Sequence, residues 1–159
     1  MRFWGCRHAN NIYENDILFL HYFLRKQIKN TMIIYIIAMP LPIITDLCNR
    51  QQFAELLKTN PGLIFIKFGA EWCGPCKLIE QDIKNAFQSM PDNVQCVMVD
   101  IDVSVDLYAF LKMKRMVNGV PAVLCYEKGN VSYVPDEAIG GADKVKLQTF
   151  FNTCLDLLD

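Results

Sequence analysis

The sequence predicts one α/β domain, a mixed β-sheet flanked by helices in the order β-α-β-α-β-α-β-β-α, and three observations predict it. From Leu41 onward the apolar residues switch repeatedly between strand-like runs and helical spacing. The run Leu63-Ile64-Phe65-Ile66-Lys67-Phe68 is apolar almost without a break, as a strand covered by helices on both faces must be. The chain has 159 residues, 52% of them apolar, which is enough for one core and too little for two ordinary domains.

Leu41 to Ile44 reads as a short first strand. Thr45 or Asp46 is placed to cap a helix with Phe53, Leu56 and Leu57 on one face, closed by Asn60-Pro61-Gly62. Leu63 to Phe68 follows as the central strand. Cys76, Ile79, Ile83, Ala86, Phe87 and Met90 then recur at helical spacing until Pro91-Asp92-Asn93 ends the helix. Val94 to Ile101 is the next strand, and Ser104 is placed to cap a short helix with Leu107, Phe110 and Leu111 inward. Ala122 to Tyr126 and Val131 to Val134, on either side of Lys128-Gly129-Asn130, read as an antiparallel hairpin. A last helix carries Leu147, Phe150, Phe151, Cys154 and Leu158 along one stripe.

The domain is expected to span residues 39–159, because Met39 opens a stretch organised like a complete domain. Residues 1–38 read as an extension, either poorly ordered or the product of an over-long start assignment. Their apolar stretches, Ile17 to Leu24 and Met32 to Met39, are separated by Arg25, Lys26 and Lys29, and neither approaches the roughly 18 residues a membrane span needs. The basic cluster ahead of Met32-Ile33-Ile34-Tyr35-Ile36-Ile37 resembles a secretory leader, but it lies far from Met1 and no small-residue cleavage site follows. No membrane partner is expected.

Sixteen basic against seventeen acidic side chains leave a net charge of −1, without the basic surface that nucleic-acid binding requires. Seven cysteines, an odd number scattered through a chain with ample apolar residues, argue for a reducing compartment, the cytoplasm, rather than a disulfide-stapled secreted domain. Cys96 and Cys125 in strand-like runs, and Cys154 on a helix stripe, then read as small buried hydrophobes. Cys48 reads as an incidental helix residue, and Cys6 as a thiol of the extension.

The chemistry is carried by Cys73 and Cys76. A strand ending at Gly69-Ala70-Glu71 runs into Trp72-Cys73-Gly74-Pro75-Cys76-Lys77, which opens a helix. Free backbone N–H groups and the positive end of the helix dipole favour an anion there, and that anion is the Cys73 thiolate. Pro75 suits the first helical turn, where the N–H it lacks would have no intrahelical partner. Cys76 lies one turn further along on the inward stripe, close to Cys73 yet shielded, and is the natural resolving thiol. Cys73 attacks a substrate disulfide, and Cys76 then attacks Cys73 to release the reduced substrate. A Cys-X-X-Cys pair is also half of a structural zinc site, but such a site needs four ligands, and the only histidines, His8 and His21, lie in the extension. No metal and no cofactor are expected. With no nucleotide-binding loop, electrons must come from an external donor.

The segment Ala70-Glu71-Trp72-Cys73-Gly74-Pro75-Cys76-Lys77, joined by Gly119-Val120-Pro121 ahead of the next strand, resembles the active-site segment of thioredoxins. The resemblance runs from Leu41 to Asp159. It implies the thioredoxin fold and a monomeric protein-disulfide reductase, with disulfide-containing proteins as substrates and a thioredoxin reductase or glutathione system as electron donor. It also implies that Pro121 forms a cis peptide beside the cysteines and that the Val120 backbone pairs with substrate. Trp72, Gly74, Pro75 and Gly140 or Gly141 would border the same groove, although Trp72 could equally be a packing residue. Gly-Pro between the cysteines resembles reducing thioredoxins, whereas isomerases usually carry Gly-His. A more oxidising oxidase or isomerase, and a non-catalytic interaction module of the same fold, are the alternatives.

Two residues depart from the pattern. Lys67 stands where thioredoxins usually carry a buried acid that assists proton transfer at the resolving cysteine. If cationic near the cysteines, it is expected to stabilise the Cys73 thiolate and make the pair more oxidising. Gly69 stands where many thioredoxins carry tryptophan, which would leave the groove more open.

Overall fold

Strand Leu63–Gly69 (β1) is the axis of the computed structural model, which describes residues 39–158. All seven of its residues are buried. Val94–Asp100 (β2) lies parallel on one side of it, with Phe65 opposite Cys96 and Lys67 opposite Met98. Ala122–Glu127 (β3) lies antiparallel on the other, with Phe65 opposite Cys125 and Lys67 opposite Val123. Glu137–Gly140 (β4) completes the sheet as an antiparallel edge, in the order β2-β1-β3-β4.

Side chains alternate across a strand, so β1 feeds two cores. Ile64, Ile66 and Phe68 face helices Arg50–Lys58 (α1) and Val105–Met113 (α3), packing with Phe53, Leu57, Leu107 and Leu111. Leu63 and Phe65 face helices Gly74–Gln88 (α2) and Lys144–Leu155 (α4), packing with Ile79, Ile83, Phe87, Phe150 and Phe151. Phe65 meets Phe87, Phe150 and Phe151 at centroid distances of 6.5, 6.0 and 5.1 Å. Cys96, Cys125 and Cys154 are 1%, 0% and 0% exposed on this second side, as small apolar residues would be. Sandwiching a mixed sheet between helices is the predicted α/β class.

Several local expectations are corrected. The first strand, Leu41 to Ile44, is reduced to a single parallel bridge between Ile44 and Val97. Pro40 and Pro42 have no N–H to donate, so the ladder cannot extend beyond Ile44, which donates to Cys96 O (3.0 Å) and accepts from Met98 N (2.8 Å). The cap of α1 is Asn49, not Thr45 or Asp46; its side chain accepts from Gln52 N at 2.9 Å. The helix starts late because Leu47 is buried and gives its carbonyl to the Ser104 hydroxyl at 2.7 Å, which also leaves Cys48 outside the helix. Ser104 occupies the N-cap position of α3, but its hydroxyl is spent on Leu47 and caps nothing.

The hairpin is antiparallel, but its second strand is Glu137–Gly140 rather than Val131 to Val134. Asn130 decides this. Its amide donates to Val134 O (3.0 Å) and Asp136 Oδ2 (2.8 Å) and its oxygen accepts from Ser132 N (2.8 Å), curling residues 130–136 into a loop. Val131 and Val134 are left 64% and 46% exposed. The reading of residues 1–38 as an extension, with Cys6, His8 and His21, lies outside the described residues. Among the described residues no helix is long and apolar enough to cross a membrane.

Candidate active site

The junction from β1 to α2 builds the site. Cys73 is the N-cap of α2, with extended backbone (φ −78°, ψ 100°), so Gly74 and Pro75 occupy the first helical turn and Pro75 disrupts no hydrogen bond. The Cys73 sulfur accepts a hydrogen bond from the backbone N–H of Cys76 at 3.2 Å. This is a capping contact in which sulfur replaces the usual oxygen, and it directs an amide at the atom that must carry negative charge. Cys76 belongs to the buried stripe of α2 with Ile79, Ile83 and Phe87.

Cys73 and Cys76 are joined in a disulfide, their Cα atoms 5.3 Å apart. The two residues are 4% and 3% exposed, so burial does not separate their roles. Their positions differ: Cys73 ends the loop and holds the amide hydrogen bond, whereas Cys76 is one turn inside the helix.

The groove residues expected from the sequence come from distant parts of the chain. The Val120–Pro121 peptide is cis. Val120 and Pro121 line a groove of about 390 Å³ together with Gly119, Ile139, Gly140 and Gly141. Gly141 N donates to Pro121 O at 2.9 Å, and its φ of +93° is a left-handed value that a glycine adopts without strain. A side chain at Gly74 would meet no other group within 4 Å, so a substrate chain has room to pass over the cysteines.

Trp72 is 67% exposed, which removes the packing reading. Its indole N–H donates to Asp102 Oδ2 at 2.7 Å, so the ring is oriented by a carboxylate from the turn after β2. Asp102 was not among the residues expected from sequence, and no local signal marks it, since thirty positions separate it from Trp72.

Lys67 is 8% exposed and shares the α2-facing side of β1 with Leu63 and Phe65. A Cβ built on Gly69 would stand 2.5 Å from the Lys67 nitrogen and 3.5 Å from the Cys76 sulfur. The two atoms therefore lie no more than about 6.0 Å apart, both bordering space that any larger residue at 69 would fill. The two departures in the sequence are one feature: the Lys67 amine occupies the room that Gly69 leaves. Burial lowers the Lys67 pKa below its usual value, the nearby Lys84 adds to this, and Glu80 and Asp100 oppose it. Glu80, which sits on α2 four residues after Cys76, is itself held below the usual carboxylate range by its hydrogen bond and charge pairing with Lys84. That i, i+4 spacing was the one sequence signal that could have singled Glu80 out.

A larger cavity of about 650 Å³ lies between α1, α3 and the 128–136 loop. It carries no comparable chemistry: no cysteine lines it, and its cation, Arg50, is committed to Asp106 at 3.0 Å.

The thioredoxin family model matches residues 45–153, which takes in both cysteines, the cis-proline, the whole sheet and all but the last two residues of α4. The chain belongs to the thioredoxin family. Thioredoxin-3, mitochondrial, of Saccharomyces cerevisiae is 42% identical over 64 residues, 40% of this chain and 49% of that protein, so that match spans only about half of the relative. The thioredoxin of Mycoplasma pneumoniae is 30% identical over 105 residues, 66% of this chain and 94% of that protein. Among solved structures, the oxidised mitochondrial thioredoxin 3 of Saccharomyces cerevisiae superposes with a TM-score of 0.55 at 25% identity, over 72% of this chain and 94% of that one. The thioredoxin of Malassezia sympodialis, at 23% identity, shares the fold with a TM-score of 0.56 and the same coverage. Family membership and the Cys73–Cys76 disulfide make this protein a thiol-disulfide oxidoreductase.

Proposed function

We propose that the protein reduces disulfides in other proteins through a dithiol cycle of Cys73 and Cys76. The observation that carries the reading is the Cys73 sulfur at the start of α2, disulfide-bonded to Cys76 and held by the Cys76 amide at 3.2 Å. In the reduced protein the Cys73 thiolate attacks one sulfur of a substrate disulfide, forming a mixed disulfide and expelling a substrate thiolate that takes a proton. The Cys76 thiolate then attacks Cys73, the bond from Cys73 to the substrate breaks, and the substrate leaves with both sulfurs reduced. Two electrons have moved from the Cys73/Cys76 dithiol to the substrate. An external dithiol donor, such as a thioredoxin reductase or the glutathione system, returns them.

Substrate backbone pairs with Val120 beside the groove, in the manner of a strand added to a sheet edge, while Trp72, Gly74, Pro75 and Gly140 border its path. Gly-Pro between the cysteines favours reduction over oxidation, and the free thiols Cys96, Cys125 and Cys154 suit a reducing compartment such as the cytoplasm. The protein acts as a monomer, without metal or bound cofactor.

The deciding experiment is the equilibrium potential of the Cys73/Cys76 couple, with turnover of a protein disulfide by a dithiol donor as its companion. A reductase lies toward the thioredoxin value of about −270 mV and an isomerase near about −180 mV. Turnover must disappear in Cys73→Ser. A potential at or above the isomerase value would replace the reductase by an oxidase, and undiminished turnover in Cys73→Ser would leave an interaction module.

A further inference from the structure

The resolving cysteine needs help that the helix does not supply. Cys73 has the amide of Cys76 and the end of the α2 dipole, but Cys76 sits a turn inside the helix and is 3% exposed, where desolvation opposes formation of its thiolate. The cycle nevertheless requires that thiolate, because it is the attacking species in the second step. The cationic nitrogen of Lys67 lies no more than about 6.0 Å from this sulfur, both atoms bordering the space at Gly69.

We infer that Lys67, seated in the space vacated by Gly69, is the positioning residue that makes the Cys76 thiol acidic enough to resolve the mixed disulfide. The inference rests on the dithiol cycle proposed above and shifts the role of Lys67 from Cys73, where the sequence alone placed it, to Cys76. When Cys76 gives up its proton, an ammonium faces a thiolate, and an opposite charge at about 4–6 Å lowers a pKa by about one unit or more. The reciprocal holds: the thiolate raises the Lys67 pKa, so the amine that burial drives toward neutrality recovers its proton when Cys76 ionises. The resulting ammonium–thiolate pair carries no net charge, whereas a carboxylate at position 67 would either place a second negative charge beside the thiolate or, once protonated, leave it unneutralised. The charged groups facing Lys67 are Glu80 and Lys84 on α2 and Asp100 at the end of β2. Glu80 and Asp100 favour its ammonium, and Lys84 opposes it.

Gly69 is the second half of the device. A methyl group there would overlap the end of the flexible Lys67 chain, which can move aside, rather than backbone. Gly69→Ala therefore displaces the amine without removing it.

The test titrates Cys76 by its ultraviolet thiolate absorbance in Cys73→Ser, taken as a difference against Cys73→Ser/Cys76→Ser to cancel the remaining thiols. No substrate or electron donor takes part, so the outcome is independent of whether the enzyme runs as a reductase. Lys67→Met is expected to raise the Cys76 pKa by about one unit, a roughly tenfold loss of thiolate at neutral pH. Gly69→Ala is expected to raise it in the parent and to leave it unmoved in Lys67→Met. With both cysteines present, a mixed disulfide on Cys73 should clear about three- to fourfold more slowly in Lys67→Met, since tenfold less thiolate is partly offset by its higher nucleophilicity. An unchanged Cys76 pKa in Lys67→Met would overturn the inference, as would an equal effect of Gly69→Ala in both backgrounds. Should Lys67→Met fail to fold, the titration of Gly69→Ala decides alone, an unshifted Cys76 counting against the inference.

Discussion

Replacing Lys67 by methionine should make the oxidised protein more stable, not less. The side chain is 8% exposed in the middle of the central strand, and among the described residues its ammonium makes no ion pair or hydrogen bond to protein, so only its residual contact with water offsets the cost of burial. Methionine keeps most of the buried chain and removes the charge. Leaving a buried polar group uncompensated costs about 1–3 kcal/mol, which the substitution recovers. At about 4 °C per kcal/mol this corresponds to a rise in Tm of roughly 4–12 °C. The gain has a pH signature. Because the folded pKa of Lys67 is lowered, the unfolded chain binds more protons between that value and the ordinary 10.5, and the parent gains stability as pH rises through this window. The methionine variant lacks that term, so its advantage is greatest at neutral pH and falls as pH rises toward 10.5. The reduced protein should gain less, since a thiolate at Cys76 offsets part of the cost of the ammonium. By the thermodynamic cycle, the gap between the two gains is the shift of the couple toward a more reducing potential, about 30 mV for each 1.4 kcal/mol. Denaturant unfolding of both proteins in both redox states, across neutral to alkaline pH, measures all of this. A variant less stable than the parent when oxidised, or an advantage that does not vary with pH, would refute the reasoning.

Three further outcomes are expected. Asn49→Ala removes the acceptor for Gln52 N at the start of α1 and should lower stability by about 1 kcal/mol in denaturant titration, with the disulfide potential unmoved. Arg115 has a φ of 62°, and Arg115→Gly should stabilise the fold by about 0.5–1 kcal/mol by relieving left-handed backbone strain, a gain visible as a higher Tm. Burial pushes the Cys96 thiol from an ordinary 9.0 up to about 12, so the folded state keeps a proton that the unfolded chain releases. Its contribution is complete below about pH 9 and is lost as pH rises toward 12, at up to about 1.4 kcal/mol per pH unit. Cys96→Ala should therefore lose stability less steeply with alkali than the parent, and parallel slopes would remove Cys96 from the account.

Local patterns in the chain carried the architecture. The continuous apolar run Leu63 to Phe68 is legible as a central strand because burial on both faces leaves no polar alternation to preserve. The stripe from Cys76 to Phe87 is legible as one helix face because helical spacing is a property of neighbouring residues. The errors fall where two local options competed and a distant group chose between them. Thr45, Asp46 and Asn49 are all competent caps, and the tie from Leu47 to Ser104 settles which one starts α1. Val131 to Val134 has the composition of a strand, yet Asn130 and Asp136 draw it into a loop.

The same division holds at the site. The sequence by itself determined the disulfide pair and its place where a strand hands over to a helix, because a spacing of three residues at a helix start brings two sulfurs together whatever the rest of the molecule does. Only the tertiary structure decided that Trp72 faces solvent in the grip of Asp102, that Pro121 comes to lie in a groove with Gly141, and that the amine of Lys67 comes within about 6.0 Å of the Cys76 sulfur at Gly69. The physical reason is that periodicity and capping act between neighbours in the chain. The partner of a charged or hydrogen-bonding side chain is whichever group the packing of separate elements delivers to it.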